Sequence, residues 1–132
     1  LNPRQALSDY KKVLDKELPK EKGVPVFDVI MLGMGDDGHT ASVFPHEIFL
    51  WDSPEFCEIG THPESGQKRI TLTGGVINNA REIVFLVTGK KKSEKVDEIL
   101  NQKPGFEKYP AAKVEPDKSM WLLDQDAVNI EQ

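Results

Sequence analysis

Apolar positions along the chain recur in two rhythms that take turns, and this predicts strands interleaved with helices. From Pro3 to Leu18 the residues Ala6, Tyr10, Val13, Leu14 and Leu18 fall on one face at helical spacing. The stretch Pro19 to Pro25 holds two prolines, a glycine and several charges, and reads as a surface loop. The apolar run Val26 to Leu32, bounded by Pro25 and Gly33, is too short for a core helix and predicts a buried parallel strand. Alternation over Arg69 to Thr73 predicts a second strand, followed by a helical turn around Val76 to Ala80. Ile83 to Val87 reads as a third strand ending at Thr88-Gly89. A helix from Lys91 to Asn101 then buries Val96, Ile99 and Leu100. Met120 to Leu123 is the fourth strand, and a helical segment starts at Asp124. Strands alternating with helices imply an α/β fold with a largely parallel sheet. Ligands in such folds bind at the carboxyl ends of the strands.

Composition adjusts this picture only at its edges. The chain has 132 residues, 38% apolar and 30% charged, which suits one globular domain with its own core. No apolar run approaches the roughly 18 residues of a membrane span. A formal charge of -5 argues against a nucleic-acid-binding surface, which needs clustered Lys and Arg, yet leaves room for a locally positive pocket. Cys57, the single cysteine, cannot form an internal disulfide, so a reducing, cytoplasmic setting is expected. There is no targeting segment at the start and no initiator Met, which reads as a fragment.

Candidate chemistry gathers at the end of the first long strand, in Gly33-Met34-Gly35-Asp36-Asp37-Gly38-His39-Thr40. Gly33, Gly35 and Gly38 satisfy a dinucleotide-binding pattern. Its context fails, because two aspartates stand where a pyrophosphate would approach and the segment around Glu55 and Glu58 is not a second strand ending in an acid. The glycines instead permit tight or positive-φ backbone that projects Asp37 and His39 over the sheet edge. Two apart on a constrained loop, these can form a carboxylate–imidazole pair whose free nitrogen takes a proton from water. A solvated turn with a capping Asp or Thr40 is the plainer alternative.

A second group of candidates comprises Arg69 at a strand start and Lys90, Lys91 and Lys92 at a helix start after Gly89. A helix amino terminus with an Arg fork and one Lys ammonium makes an anion grip. The plainer reading is a solvated lysine run, with at most one of the three turned inward. His46 and His62 sit in a polar, Pro-containing loop without metal-ligand spacing, and Trp51 and Trp121 read as packing residues. Nothing adjacent to Cys57 in sequence would activate its thiol.

These residues resemble a known family. The run Val29 to Pro45, with its Gly-Met-Gly-Asp-Asp-Gly-His-Thr core, is similar to the signature of 6-phosphogluconolactonases. Arg69 to Thr73 with Ile77, Ala80 and Val84 to Lys92 resemble the second block of that family, and Tyr109 to Val114 with Trp121 and Leu123-Asp124 resemble its ending. The resemblance covers Phe27 to about Val128. It implies a three-layer, Rossmann-like sandwich shared with sugar-phosphate isomerases and deaminases. It also implies hydrolysis of a phosphorylated sugar lactone, with no cofactor and no metal. Residues 1–132 would be the carboxyl-terminal part of a single lactonase domain, truncated at the amino end. On the same resemblance His39 is the general base, Asp37 the acidic residue beside it, and Arg69 and Lys92 bind the substrate phosphate. Gly33, Gly35 and Gly38 form the loop backbone. Amino-sugar-phosphate deaminases carry a Glu five residues after the matching His, where this chain has Phe44. That branch is one alternative, and a non-catalytic sugar-phosphate-sensing effector module is the other.

Overall fold

The computed structural model describes residues 2–128 of the chain. Helix α1 spans Pro3–Glu17; the Asn2 side chain accepts from the Arg4 amide at 2.9 Å and Pro3 occupies the first turn, so the helix starts where its free amides are satisfied. Leu14 is buried, whereas Val13 of the same expected face is half exposed. The segment expected to be a loop folds as a small antiparallel hairpin, β1 (Lys20–Glu21) and β2 (Val24–Pro25). Lys22 and Gly23, both at positive φ, turn the chain between them.

A three-stranded sheet organises the rest, with β3 (Val29–Leu32), β6 (Glu82–Val87) and β7 (Ser119–Leu123) in the order β3-β6-β7. Both pairings are parallel, Ile30 opposite Ile83 and Phe85 opposite Trp121. The expected α/β class with a parallel sheet is what the chain adopts. Regular pairing in the first strand begins at Val29 rather than Val26.

The hairpin β4 (Cys57–Thr61) with β5 (Lys68–Leu72) stands apart from that sheet and is antiparallel. The strand expected at Arg69 to Thr73 therefore exists, but not in the parallel sheet. Residues 57–61, set aside in the sequence as non-strand, are its partner. His62 follows β4 directly, and His46 lies in a 3-10 segment, Pro45–Asp52, rather than in a loop.

Helix α2 (Gly74–Ile77) and helix α3 (Ser93–Leu100), which is led by a 3-10 turn at Lys90–Lys92, pack with the 3-10 turn Pro110–Lys113 onto one sheet face. That face carries Ile30, Leu32, Ile83, Phe85 and Val87, with Phe85 stacked on Trp121 at 4.0 Å. Each fully buried side chain of this kind contributes about 1.5–3 kcal/mol. The opposite face is open among the described residues: Val29, Met31, Leu86, Met120 and Leu122 are each 46–65% exposed. The first long strand is thus buried on one side only. Leu100, expected inside, is also 46% exposed. A short helix α4 (Gln125–Val128) follows Asp124, whose carboxylate accepts from the amides of Ala127 and Gly89. The remainder of the terminal helical segment lies outside the described residues.

Candidate functional site

The loop leaving β3 crosses the carboxyl end of the parallel sheet, where ligands enter α/β folds. It is cross-braced by its own backbone. The Gly35 amide donates to the His39 carbonyl at 2.9 Å, and the Gly38 amide to the Gly35 carbonyl at 3.0 Å. The buried Thr40 hydroxyl reaches back to the Gly33 carbonyl at 2.8 Å. From outside, the Ala111 amide binds the Gly38 carbonyl at 3.1 Å, and the Thr71 hydroxyl accepts from the Ser42 amide at 3.0 Å. Both flanking elements therefore fix the loop.

This bracing brings Asp37 and His39 together. The His39 ring Nδ1 lies 2.6 Å from Asp37 Oδ1, and the same oxygen accepts from the His39 amide at 3.0 Å. Burial raises the Asp37 carboxyl, but the two hydrogen bonds and the charge of His39 outweigh it and hold the group below the ordinary 3.8. With Nδ1 engaged, Nε2 is the nitrogen left for chemistry. Two glycines earn their place here for different reasons. Gly38 sits at φ +84, and a side chain there would also press into the Tyr109 ring. Gly35 has ordinary φ, yet a Cβ on it would overlap the His39 ring and lie 2.9 Å from Asp37 Oδ1. Gly33 shows neither constraint, so the expectation of special backbone there does not hold; its part is the carbonyl offered to Thr40.

A cleft of about 450 Å³ opens beside the pair, lined by Met31, Gly33, Gly35, His39, Ala41 and Lys92 among others. Ala41 adopts φ +51, a left-handed conformation that costs a non-glycine residue about 1–2 kcal/mol. Of the three lysines, Lys92 lines the cleft, while Lys90 and Lys91 are exposed. The Lys92 ammonium donates to the Met34 carbonyl and lies 3.7 Å from Asp36 Oδ1. The two adjacent aspartates therefore serve different partners.

Arg69 does not line the cleft. Its Nε donates to Gln67 Oε1 at 2.8 Å and its guanidinium lies 5.8 Å from the centre of the Phe44 ring. That ring is fully buried, and it also meets His39 at 4.5 Å, His62 at 5.4 Å and His46 at 6.0 Å. All three histidines of the chain thus gather on one phenylalanine. The sequence marked Phe44 only as the place where another branch has an acid, and gave no sign of this packing role. Met34, Asp36 and Ala41 stood in the quoted loop without a role of their own, because their parts arise from backbone geometry and long-range contact. Cys57 is buried, and burial pushes its thiol up, consistent with an inert packing residue. Among the described residues, no group of three or more His, Cys, Asp or Glu side chains could hold a metal ion, and no helix is long and apolar enough to cross a membrane.

A glycine-braced Asp–His pair at the carboxyl end of a parallel sheet, beside a cleft that Lys92 also lines, defines an α/β protein with its candidate site at the strand ends. The family model described as glucosamine-6-phosphate isomerases/6-phosphogluconolactonase matches residues 1–123, and the chain belongs to this family. A 6-phosphogluconolactonase of Treponema pallidum is 53% identical over 92 residues, covering 70% of this chain and 38% of the relative. One from Haemophilus influenzae is 40% identical over 130 residues, covering 97% and 54%. The solved 6-phosphogluconolactonase of Trypanosoma brucei superposes with a TM-score of 0.76 at 32% identity, covering 95% of this chain and 52% of that one. The chain spans about half the length of the curated relatives it matches.

Proposed function

We propose that the protein to which these residues belong hydrolyses 6-phosphogluconolactone to 6-phosphogluconate. The observation that carries the reading is the 2.6 Å Asp37–His39 contact at a cleft whose lining includes Lys92. Relatives named for this activity support the substrate. Asp37 holds the imidazole so that Nε2 faces the cleft and can accept a proton from water. The hydroxide so formed adds to the lactone carbonyl carbon, and the tetrahedral intermediate collapses with cleavage of the bond to the ring oxygen. That oxygen takes the proton from the imidazolium, leaving a hydroxyl and a carboxylic acid, which ionises. A positioned base of this kind contributes about 10²–10⁴-fold in rate. Lys92, and Arg69 after a movement into the cleft, bind the phosphate of the substrate; Lys90 and Lys91 do not. The open sheet face and the half-length match support a further reading, that these residues are one part of a single lactonase domain; relatives named as a metabolic enzyme support a cytoplasmic setting.

The test uses a chimera in which residues 1–132 replace the matching segment of a full-length relative, beside the 132-residue chain alone. Phosphorylated lactone should be opened at low KM and the unphosphorylated lactone at a KM at least tenfold higher. Lys92→Ala should raise KM for the phosphorylated substrate by about 10–100-fold, the worth of a charged hydrogen bond, while Lys91→Ala stays near the parent. The chain alone should open the lactone poorly. Equal KM for both lactones would overturn the phosphate grip, and no opening of either by the chimera would overturn the lactonase reading.

A further inference from the structure

The adjacent acids Asp36 and Asp37 each face one functional side chain of the cleft. Asp37 binds His39. Asp36 lies 3.7 Å from the Lys92 ammonium, which is anchored by the Met34 carbonyl. The hydrogen bond to Met34 suffices to place Lys92, because a carbonyl fixed in the braced loop is a directional acceptor. Asp36 is 61% exposed and its contact is too long for a hydrogen bond, so what it adds at Lys92 is charge rather than geometry. A negative charge at that spot opposes any anion that approaches the same ammonium.

We propose that Asp36 is an affinity-setting residue, whose carboxylate partly neutralises Lys92 and so weakens the binding of phosphorylated ligands in the cleft. The proposal rests on the reading that Lys92 binds phosphate. An arriving phosphate takes free donors of the ammonium and then sits close to the Asp36 carboxylate, where two like charges about 5 Å apart in water still repel by about the thermal scale. The effect suits a hydrolase whose product keeps the phosphate and gains a carboxylate, since an ammonium left free would hold that product longer. Replacing Asp36 should therefore tighten anion binding rather than weaken it, the reverse of what loss of a structural contact does.

The experiment is an NMR titration of the 132-residue chain with inorganic phosphate, at low and at 1 M ionic strength, for the parent, Asp36→Asn, Lys92→Met and the remote control Asp117→Asn. Asp36→Asn is expected to bind phosphate about two- to fivefold tighter at low salt. That gain should shrink at high salt as screening shortens to about 3 Å. Asp117→Asn should match the parent. An unchanged or weaker affinity in Asp36→Asn, with Lys92→Met still impairing binding, would overturn the Asp36 proposal alone. Phosphate binding that survives Lys92→Met would overturn the phosphate role of Lys92 and this proposal together. A gain independent of salt would also overturn it, because the mechanism is purely electrostatic.

Discussion

Replacing Gly35 by alanine should silence the site while leaving the fold standing. The new Cβ would overlap His39 Cε1 and Nδ1 and stand 2.9 Å from Asp37 Oδ1, where ordinary contact begins at 3.4 Å. The imidazole is the softer partner, so the ring must swing away by about an ångström and the 2.6 Å contact with Asp37 must open. A misplacement of that size costs roughly 10²-fold in rate. The backbone offers no opposing penalty, since Gly35 is not at positive φ. Alanine recovers about 0.4–1 kcal/mol through the unfolded chain, against about 1–3 kcal/mol for crowding, which leaves a net loss below about 3 kcal/mol. A domain of ordinary stability, about 5–15 kcal/mol, survives that change almost fully folded. Lactone opening by the chimera, corrected for the spontaneous rate, should fall about 10²-fold in kcat with KM little altered. Nitrogen-15 spectra of the imidazole should lose the signature of an engaged Nδ1. Turnover within twofold of the parent, with that signature intact, would refute the close-approach argument.

Two further outcomes follow from the same loop. Asp37 is held below its ordinary 3.8, so its ionised form stabilises the fold above that pH and the contribution is lost as pH falls through the folded value. The melting-temperature gap between the parent and Asp37→Asn should accordingly narrow as pH falls below 3.8; a gap that widens over that range would reverse the assignment. Ala41→Gly relieves left-handed strain at φ +51 and should raise stability by up to about 1 kcal/mol in denaturant unfolding, after the entropic cost of glycine; a loss would show that the alanine methyl packs.

The contrast between what could and could not be read from the sequence has a physical basis. The strand cores Val29–Leu32, Glu82–Val87 and Ser119–Leu123 were legible because short apolar runs end at Gly33, Gly89 and Asp124. The strand Cys57–Thr61 was not, because its mixed residues take strand form only through pairing with Lys68–Leu72. Periodicity also failed to tell the two sheet faces apart: Met31 and Met120 are as apolar as Ile30 and Ile83, yet only the latter pair is covered. At the site, Asp37 and His39 could be paired from their spacing, since two residues two apart on a tight loop are within reach of each other. The bonds from Ala111 and Thr71 that fix the loop could not be read. The Lys92 contact with Met34 spans 58 positions and depends on how α3 docks, which no local pattern encodes. The approach of Arg69 and His62 to Phe44 depends equally on the placement of the hairpin, whereas His39 and His46 are near neighbours of Phe44 in sequence.

The central claim is that His39 takes the proton from the attacking water, and the rate of lactone opening with and without its imidazole tests it most directly. His39→Ala in the chimera, followed by acid release from 6-phosphogluconolactone against the spontaneous background, should lose about 10²–10⁴-fold in kcat. Phosphate binding at Lys92 should stay unchanged, which shows that the cleft is intact. A His39→Ala protein that opens the lactone at near-parental rate would contradict the account.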